Sequence, residues 1–557
     1  MKLLLINPKF PESFWSFSWA LENITHDKKA VNSPLGLATL AALTPEGWEI
    51  TIIDENVEPI DWSFEADLVG VCGMGVQVSR QKEILKHFRQ KGCYGIAGGS
   101  YASLCPEEYS GCADTVIAGE AERIWPEFCR DFTEGRPKRH YQESGEIDLT
   151  LSPAPRHDLL KLDLYQRVSL QFSRGCPYQC EFCDIIVMFG RKPRTKPVEQ
   201  VGKELDLLRE RGVTSVFFVD DNLIGHISKA KELLRYLIDY QERHHTRFSF
   251  GTEASINMSA DPELMQLFRE ANFEWVFIGI ETPNKEGLKE TGKTQNLRGD
   301  LLTSIHRIYS YGIGISAGFI VGFDSDDRTI FERQYDFIIA SGITVSMVGL
   351  LMAIPKTPLY QRLKKAGRLL STAIQDNTRS STNIIPLKMT YQELIAGYER
   401  LHQRLTENRA IYRRMANKLN SLKNPLGVFD LSLRQKWTYL FRLIGRGILP
   451  GGIGRIYWFI RSCLLGLRNP KGLPSMVTDW IAALSLRDYR DRWFNPAKVP
   501  LQKVIQLKDF DCRMAKLLLK KLRRYRHQIH IQLPENLYQQ LRDEMALFHY
   551  TLVEARA

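Results

Sequence analysis

No stretch of this 557-residue chain approaches the roughly 20 consecutive apolar residues of a membrane-spanning helix. The opening Met1-Lys2-Leu3-Leu4-Leu5-Ile6-Asn7-Pro8 has only a short apolar run, which predicts a strand and not a secretory leader. A disulfide framework is excluded too. Of ten cysteines, three crowd into residues 176–183, and Cys72, Cys93, Cys105, Cys112, Cys129, Cys463 and Cys512 are scattered without a pairing pattern, as for reduced cytosolic thiols. Glutamate is missing from Ile411 to His530, where 25 Lys and Arg face six Asp. That stretch carries +19 and the rest of the chain −8 of the overall +11. The split marks a C-terminal module that meets something anionic: a membrane surface, a nucleic acid or an acidic substrate. A cytoplasmic enzyme of about three domains is expected from these limits.

The most specific feature present is Cys176-Pro177-Tyr178-Gln179-Cys180-Glu181-Phe182-Cys183, a C-x3-C-x2-C loop after an apolar run. A structural zinc closes with four ligands, and a ferredoxin cluster takes four cysteines, so three leave one iron open for chemistry. Three cysteines that merely pack are the bland alternative, and Pro177, Gln179 and Glu181 between them do not suit it.

Residues 1–145 alternate short apolar strands (Leu3–Ile6, Glu49–Ile53, Leu68–Cys72, Gly95–Ala97, Thr115–Ala118) with helix-length segments such as Ser79–Lys91, a doubly wound α/β pattern. Ligands of such folds sit at the carboxyl ends of the strands. Asn7, Gly73, Gly98-Gly99-Ser100 and Gly119-Glu120 fall there, and each glycine turn taken alone is equally well a tight strand-to-helix connection. From 151 to 370, Val168–Phe172, Ser215–Asp220, Arg247–Thr252, Trp275–Ile280, Gly314–Gly322 and Val345–Met352 predict six strands of a partial parallel (β/α)6 barrel, with the cysteine loop after the first. Its strand ends carry Asp220-Asp221-Asn222, Glu253-Ala254-Ser255 and Glu281; helix caps and exposed turns are the competing reading. Residues 371–557 predict a mainly helical, basic extension. There Trp437, Tyr439, Phe441, Leu443, Ile444, Ile448, Ile453, Ile456, Tyr457, Trp458, Phe459 and Ile460 interleave with Lys436, Arg442, Arg446, Arg455 and Arg461. Such segments either lie on an anionic membrane or pack against the barrel.

The cysteine motif, with Phe182 before its last cysteine, resembles that of the radical S-adenosylmethionine (SAM) superfamily. The resemblance implies that Cys176, Cys180 and Cys183 hold a 4Fe-4S cluster whose open iron binds SAM and cleaves it to a 5'-deoxyadenosyl radical. It also implies SAM contacts from Phe182, Asp220, Asp221, Asn222, Glu253, Ser255, Glu281 and Gly318.

An α/β domain with Ser33-Pro34-Leu35-Gly36, Gly98-Gly99-Ser100 and Gly119-Glu120-Ala121-Glu122 ahead of that motif resembles the cobalamin-binding domain of cobalamin-dependent radical SAM enzymes. Cobalamin contacts are thereby implied for Asn7, Ser33, Pro34, Leu35, Gly36, Gly73, Gly98, Gly99, Ser100, Gly119 and Glu120. Asp54-Glu55-Asn56-Val57-Glu58 has no histidine where cobalamin mutases carry Asp-x-His-x-x-Gly, so a lower face without a histidine ligand is expected. Gly190–Lys196, Gly251–Ser255 and the segment from Thr382 onward resemble the subfamily that includes the hopanoid C-2 methylases. The implied reaction is methyl transfer from methylcobalamin to an unactivated carbon of a hydrophobic substrate, a hopanoid-like lipid or a tetrapyrrole. A reductant such as a flavodoxin or ferredoxin, and peripheral contact with the inner face of a membrane, belong to that expectation; nucleic acid does not. An oxidative cyclase or hydroxylase with the same cofactors is the alternative, and an RNA-modifying radical SAM enzyme the next.

Overall fold

The computed structural model describes residues 1–143, 145–370, 376–426 and 432–494, and short strands at 505–506, 531–533 and 552–554. The basic extension expected over 371–557 thus lies partly outside the described residues. Met1–Arg487 forms one compact unit and Asp488–Ala557 a second.

The chain opens with β1 (Lys2–Asn7), β2 (Ala30–Asn32), β3 (Glu49–Asp54), β4 (Leu68–Cys72), β5 (Tyr94–Gly98), β6 (Thr115–Ala118) and β7 (His140–Gln142). All but β2 make a parallel sheet in the order β3-β1-β4-β5-β6-β7. The period-2 side-chain alternation of β1 splits its apolar run between two cores. Leu4 and Ile6 pack with Phe88 of helix Val78–Gln90, and Leu3 and Leu5 with Leu37 and Trp125 of helices Leu35–Leu43 and Ala121–Thr133. Covered on both faces, the sheet is doubly wound, and its strand order reverses between β1 and β4, where a ligand crevice opens.

A second parallel sheet contains β8 (Tyr165–Leu170), β11 (Ser215–Phe218), β12 (Ser249–Glu253), β13 (Phe273–Glu281), β14 (Gly314–Val321) and β15 (Val345–Leu350); between β8 and β11 lies the small antiparallel pair β9 (Ser173–Arg174) and β10 (Arg194–Thr195). Its order is β15-β14-β13-β12-β11-β8-β2, a curled half-barrel. On β14, Ile315, Ala317, Phe319 and Val321 are buried while Gly314, Ser316, Gly318 and Ile320 stay partly open. The buried set meets the outer helices and the open set lines the concave face, as Trp275, Phe277 and Gly279 do on β13.

Six barrel strands were expected and there are seven. The extra one is β2, which leaves the first sheet and pairs with β8 (Ala30↔Tyr165, Asn32↔Arg167). Three residues are too few to show an alternation, and the ladder that defines β2 is 135 residues away in the chain. The first sheet likewise gains an edge strand, β7.

Beyond the barrel, Tyr391–Leu405, Asn408–Ser421, Leu433–Arg442, Gly452–Arg468 and Leu473–Trp493 are helical. Buried Arg414 donates to the Thr344 carbonyl (3.0 Å) and Ser346 Oγ (2.8 Å), and buried Lys418 pairs with Asp479 (3.0 Å), fixing these helices to the β15 edge. Part of the aromatic run packs inward: Leu443, Ile448 and Phe459 join Met415 and Trp480 in one core. No helix among the described residues is long and apolar enough to cross a membrane.

Candidate active site

The cysteine loop begins where β8 ends and is shaped by backbone contacts that only glycine permits. Gly175 (φ +89°) turns with the carbonyls of Lys192, Gly190 and Phe189 3.0–3.2 Å from where a Cβ would stand; at Gly292 (φ +69°) the Gln179 carbonyl would be 2.8 Å away. Asp220 holds the start of the loop: it accepts from the Phe172 and Ser173 amides (2.8 and 2.6 Å) and from Ser173 Oγ (2.6 Å). Asp221 accepts from the Gly175 amide (3.2 Å). Burial pushes both carboxyls up, to about 7 and about 6, against these hydrogen bonds.

Around the sulfurs stand donors. Asn222 Nδ2 is 4.0 Å from Cys176 Sγ, Gln295 Nε2 is 3.8 Å from Cys180 Sγ, and the ammonium of Lys293 acts electrostatically on Cys180 and Cys183. Amide and ammonium donors to thiolate are what tunes an iron–sulfur cluster, so the residues present fit one. Burial pushes the Cys176 and Cys183 thiols up, so cluster assembly must expel their protons. Among the described residues no three His, Cys, Asp or Glu side chains converge on a point for a single ion. A cluster, whose separate iron corners each take one thiolate, does not ask for that convergence.

Glu281 ends β13 at a bulge with φ +64°, rare for a residue with a side chain, and its carboxylate pairs with Lys293 Nζ (2.6 Å). Burial works most strongly against charge on Lys293, yet Glu281 together with Cys180 and Cys183 outweighs it and holds the ammonium above the usual lysine range. Glu253, at the end of β12, is solvent-accessible although protein encloses it on nearly all sides, the mark of a side chain lining an internal cavity. Burial and the neighbouring Asp221, Asp220 and Glu281 push its carboxyl up to about 8, with Lys293 opposing. Ser255 Oγ donates to Asn222 Oδ1 (3.3 Å), and the Phe182 ring lies 6.4 Å from Phe323 and 5.9 Å from Lys293 Nζ. Gly318 lies on the concave face of β14, where a Cβ would stand 3.1 Å from Phe277 Cζ. The expected SAM residues at the strand ends are therefore gathered beside the cysteines, with Gly318 level with Gly279 on the neighbouring strand β14.

At the crevice of the first sheet, Asn7, Gly73, Gly98 and Gly99 come together. The Gly73 amide donates to the Gly98 carbonyl (3.2 Å), Gln77 Nε2 to Asn7 Oδ1 (3.2 Å), and a Cβ on Gly99 (φ +97°) would stand 2.5 Å from the Gly73 carbonyl oxygen. Ser100 opens the next short helix, and the Gly119 amide donates to Ser103 Oγ (2.9 Å) in it. Ser33 to Gly36 lie elsewhere, at the junction of the two sheets, where Ser33 exchanges hydrogen bonds with Ser169 of β8 (3.0 and 2.8 Å). Glu120 is buried and taken up by Arg174 (2.7 Å) and Arg194 (2.8 Å), while Glu122 pairs with Arg174 (2.7 Å). Those arginines flank the cysteine loop, so the acids lock the first sheet to the second.

Lys293, Gln295 and Arg174 were not legible as site residues, and neither was Trp15. The segment after β1 leaves the crevice at Pro8 and reaches the C-terminal helices, where the carbonyls of Ile24 and Asn23 accept from Arg442 (2.6 Å) and Arg446 (3.1 Å). On the way, Ser13 and Ser16 cap one another, Phe14 is buried against His402, and Trp15 stands half-exposed with its ring 5.4 Å from Phe277.

Residues 170–338 match the model of the Radical SAM superfamily, and 357–496 that of a domain of unknown function, DUF4070. An uncharacterised methyltransferase of Synechocystis sp. is 41% identical over 395 residues, 70% of this chain and 73% of that protein. The hopanoid C-2 methylase of Rhodopseudomonas palustris is 34% identical over 423 residues, 74% and 78% of the two chains. Among solved structures, the cobalamin-dependent S-adenosylmethionine radical enzyme OxsB, with aqua-cobalamin and SAM bound, superposes with a TM-score of 0.56 at 16% identity, over 88% of this chain and 83% of that one, a likeness of fold. A cysteine loop at the mouth of a half-barrel, a doubly wound sheet locked against it and these relatives agree: the chain belongs to the radical SAM methyltransferases, in the family that includes the hopanoid C-2 methylase.

Proposed function

We propose that the protein methylates an unactivated carbon of a hydrophobic substrate, a hopanoid-like lipid being the class its relative's name supports. When bound, the cluster and SAM supply a hydrogen-abstracting radical, and cobalamin supplies the methyl group. In this reading Cys176, Cys180 and Cys183 hold the cluster. Phe182, Asn222, Glu253, Ser255 and Glu281 face SAM: the carboxylates suit its amine and ribose hydroxyls, and Phe182 gives it an apolar flank. Asp220 and Asp221 act one step back, keeping the loop in place, and Gly318 leaves room on the concave face. Asn7, Gly73, Gly98, Gly99, Ser100 and Gly119 form the cobalamin crevice; Ser33 to Gly36 and Glu120 hold that crevice over the barrel mouth. Electrons come from a one-electron reductant such as a flavodoxin or ferredoxin. The protein works in the cytoplasm, peripherally at the inner face of a membrane.

The observation that carries the hydrophobic substrate is the pairing of Trp15 with Phe277. Glu253 and Phe277 are register partners on adjacent strands, so the apolar wall begins beside the polar SAM-facing group. A substrate carbon resting on those rings is shielded from water while it carries an unpaired electron. The test is anaerobic reconstitution with cobalamin and SAM, followed by mass analysis of a hopanoid extract. A gain of one CH2 supports the reading, and a gain of oxygen moves the reaction to oxidative cyclisation or hydroxylation.

A further inference from the structure

Helix Gly452–Arg468 is apolar on two opposite sides, and only one is covered. Phe459, Ser462 and Gly466 face inward, where a Cβ on Gly466 would collide with Leu473. On the other side Ile453, Tyr457, Ile460, Leu464 and Leu467 recur at helical spacing and are at least half exposed, Ile453 at 87% and Leu467 at 65%. The preceding Leu449 is exposed too, and helix Leu433–Arg442 exposes the stacked pair Trp437 and Phe441, ring centroids 5.9 Å apart. An uninterrupted outward apolar stripe marks an interaction face.

Charge decides the partner. Between Asp430 and Asp479 the sequence holds eight Lys or Arg and no Asp or Glu, and Asp479 is itself buried against Lys418. Exposed Arg434, Lys436, Arg446 and Arg461 flank the apolar residues. A second copy of the chain would bring the same cations face to face. Residues 495–557 carry twelve Lys or Arg against six Asp or Glu, on balance again the wrong sign to cover the stripe. Seventeen residues make a helix of about 25 Å, shorter than a bilayer core and lying along its surface.

We propose that this face docks the protein on an anionic lipid bilayer, helix Gly452–Arg468 lying in the headgroup region with Ile453, Ile460, Leu464 and Leu467 toward the acyl chains and the arginines on lipid phosphates. This deepens the reading of a membrane-borne hydrophobic substrate and rests on it for purpose, while its geometry stands alone.

The experiment is flotation of the full-length protein with vesicles of phosphatidylcholine, alone or mixed with phosphatidylglycerol, across a salt series. The expected result is partition onto the phosphatidylglycerol vesicles that weakens with salt, little onto phosphatidylcholine, and a loss of about tenfold or more in I453E/L464E/L467E. The milder I453S/L464S, checked by thermal melting, stands in if the triple variant does not fold. Absence of partition at low salt overturns the proposal. So does a variant that floats as well as the parent, which moves binding to another surface, and so does a dimer that the variant splits without any vesicle binding, or RNA retained in place of lipid. Vesicle binding without any methylated product would instead count against the substrate reading alone.

Discussion

The two parallel sheets of the chain finish differently at their carboxyl ends. At the first, Asn7, Asp54, Gln77, Gln81, Tyr109 and Tyr165 hydrogen-bond one another or nearby carbonyls, and glycine turns pack backbone on backbone. At the second, Glu253 stands among Asp221, Asp220, Glu281 and one Lys293, and the buried amide oxygens of Gln295 and Asn296 have no partner. A shape finished without its ligand suits a large, tightly seated cofactor. An end with surplus charge and open valences suits a charged ligand that completes it.

The difference between the two sheets is erased most completely at the cysteines. Cys176→Ala, Cys180→Ala or Cys183→Ala should abolish iron incorporation and 5'-deoxyadenosine formation while cobalt uptake at the first sheet persists, as read by metal analysis and product chromatography. Next is the lock between the sheets. Arg174→Met strands buried Glu122 and leaves Glu120 to Arg194 alone, and should cost about 3–5 kcal/mol in denaturant unfolding. Gly99→Ala tests the finished shape: with φ +97° and a backbone oxygen 2.5 Å from the new Cβ, it should cost about 2 kcal/mol and lower cobalt retention, leaving iron unchanged.

The smallest effect sharpens the charge side. Glu253 keeps its proton up to about pH 8 in the fold, whereas an unfolded glutamate releases it near pH ~4.3. Between those values the folded state binds more protons, so this group costs stability as pH rises through the window. Glu253→Gln should therefore raise the melting temperature of the cofactor-free protein at pH 8, not at pH 4, and weaken SAM binding measured calorimetrically.

What the sequence made legible was what is contiguous. The cysteine motif is eight residues long, and apolar runs such as Leu68–Cys72 and Gly314–Val321 announce buried parallel strands without partners being known. The remainder is long-range. Lys293 sits in Thr291-Gly292-Lys293-Thr294, an ordinary-looking turn that only the fold carries to Glu281. Glu120 reads as a strand-end ligand contact, yet the arginines that claim it lie 54 and 74 residues away. Trp15 sits in a short helical turn with no periodic context, and Phe277, its partner, lies far along the chain on β13. The aromatic, basic run from Trp437 to Ile460 was legible as amphipathic, but which residues pack inward depends on Trp480 and Met415.

The first sheet is expected to hold cobalamin and the second a cluster, a division of labour between them. It is tested most directly by quantifying iron, sulfide and cobalt on the same anaerobically reconstituted sample of the parent chain and of the triple variant C176A/C180A/C183A. About four irons and near-stoichiometric cobalt are expected in the parent, and cobalt without iron in the variant. Iron without cobalt in the parent, or retained iron in the variant, would contradict it.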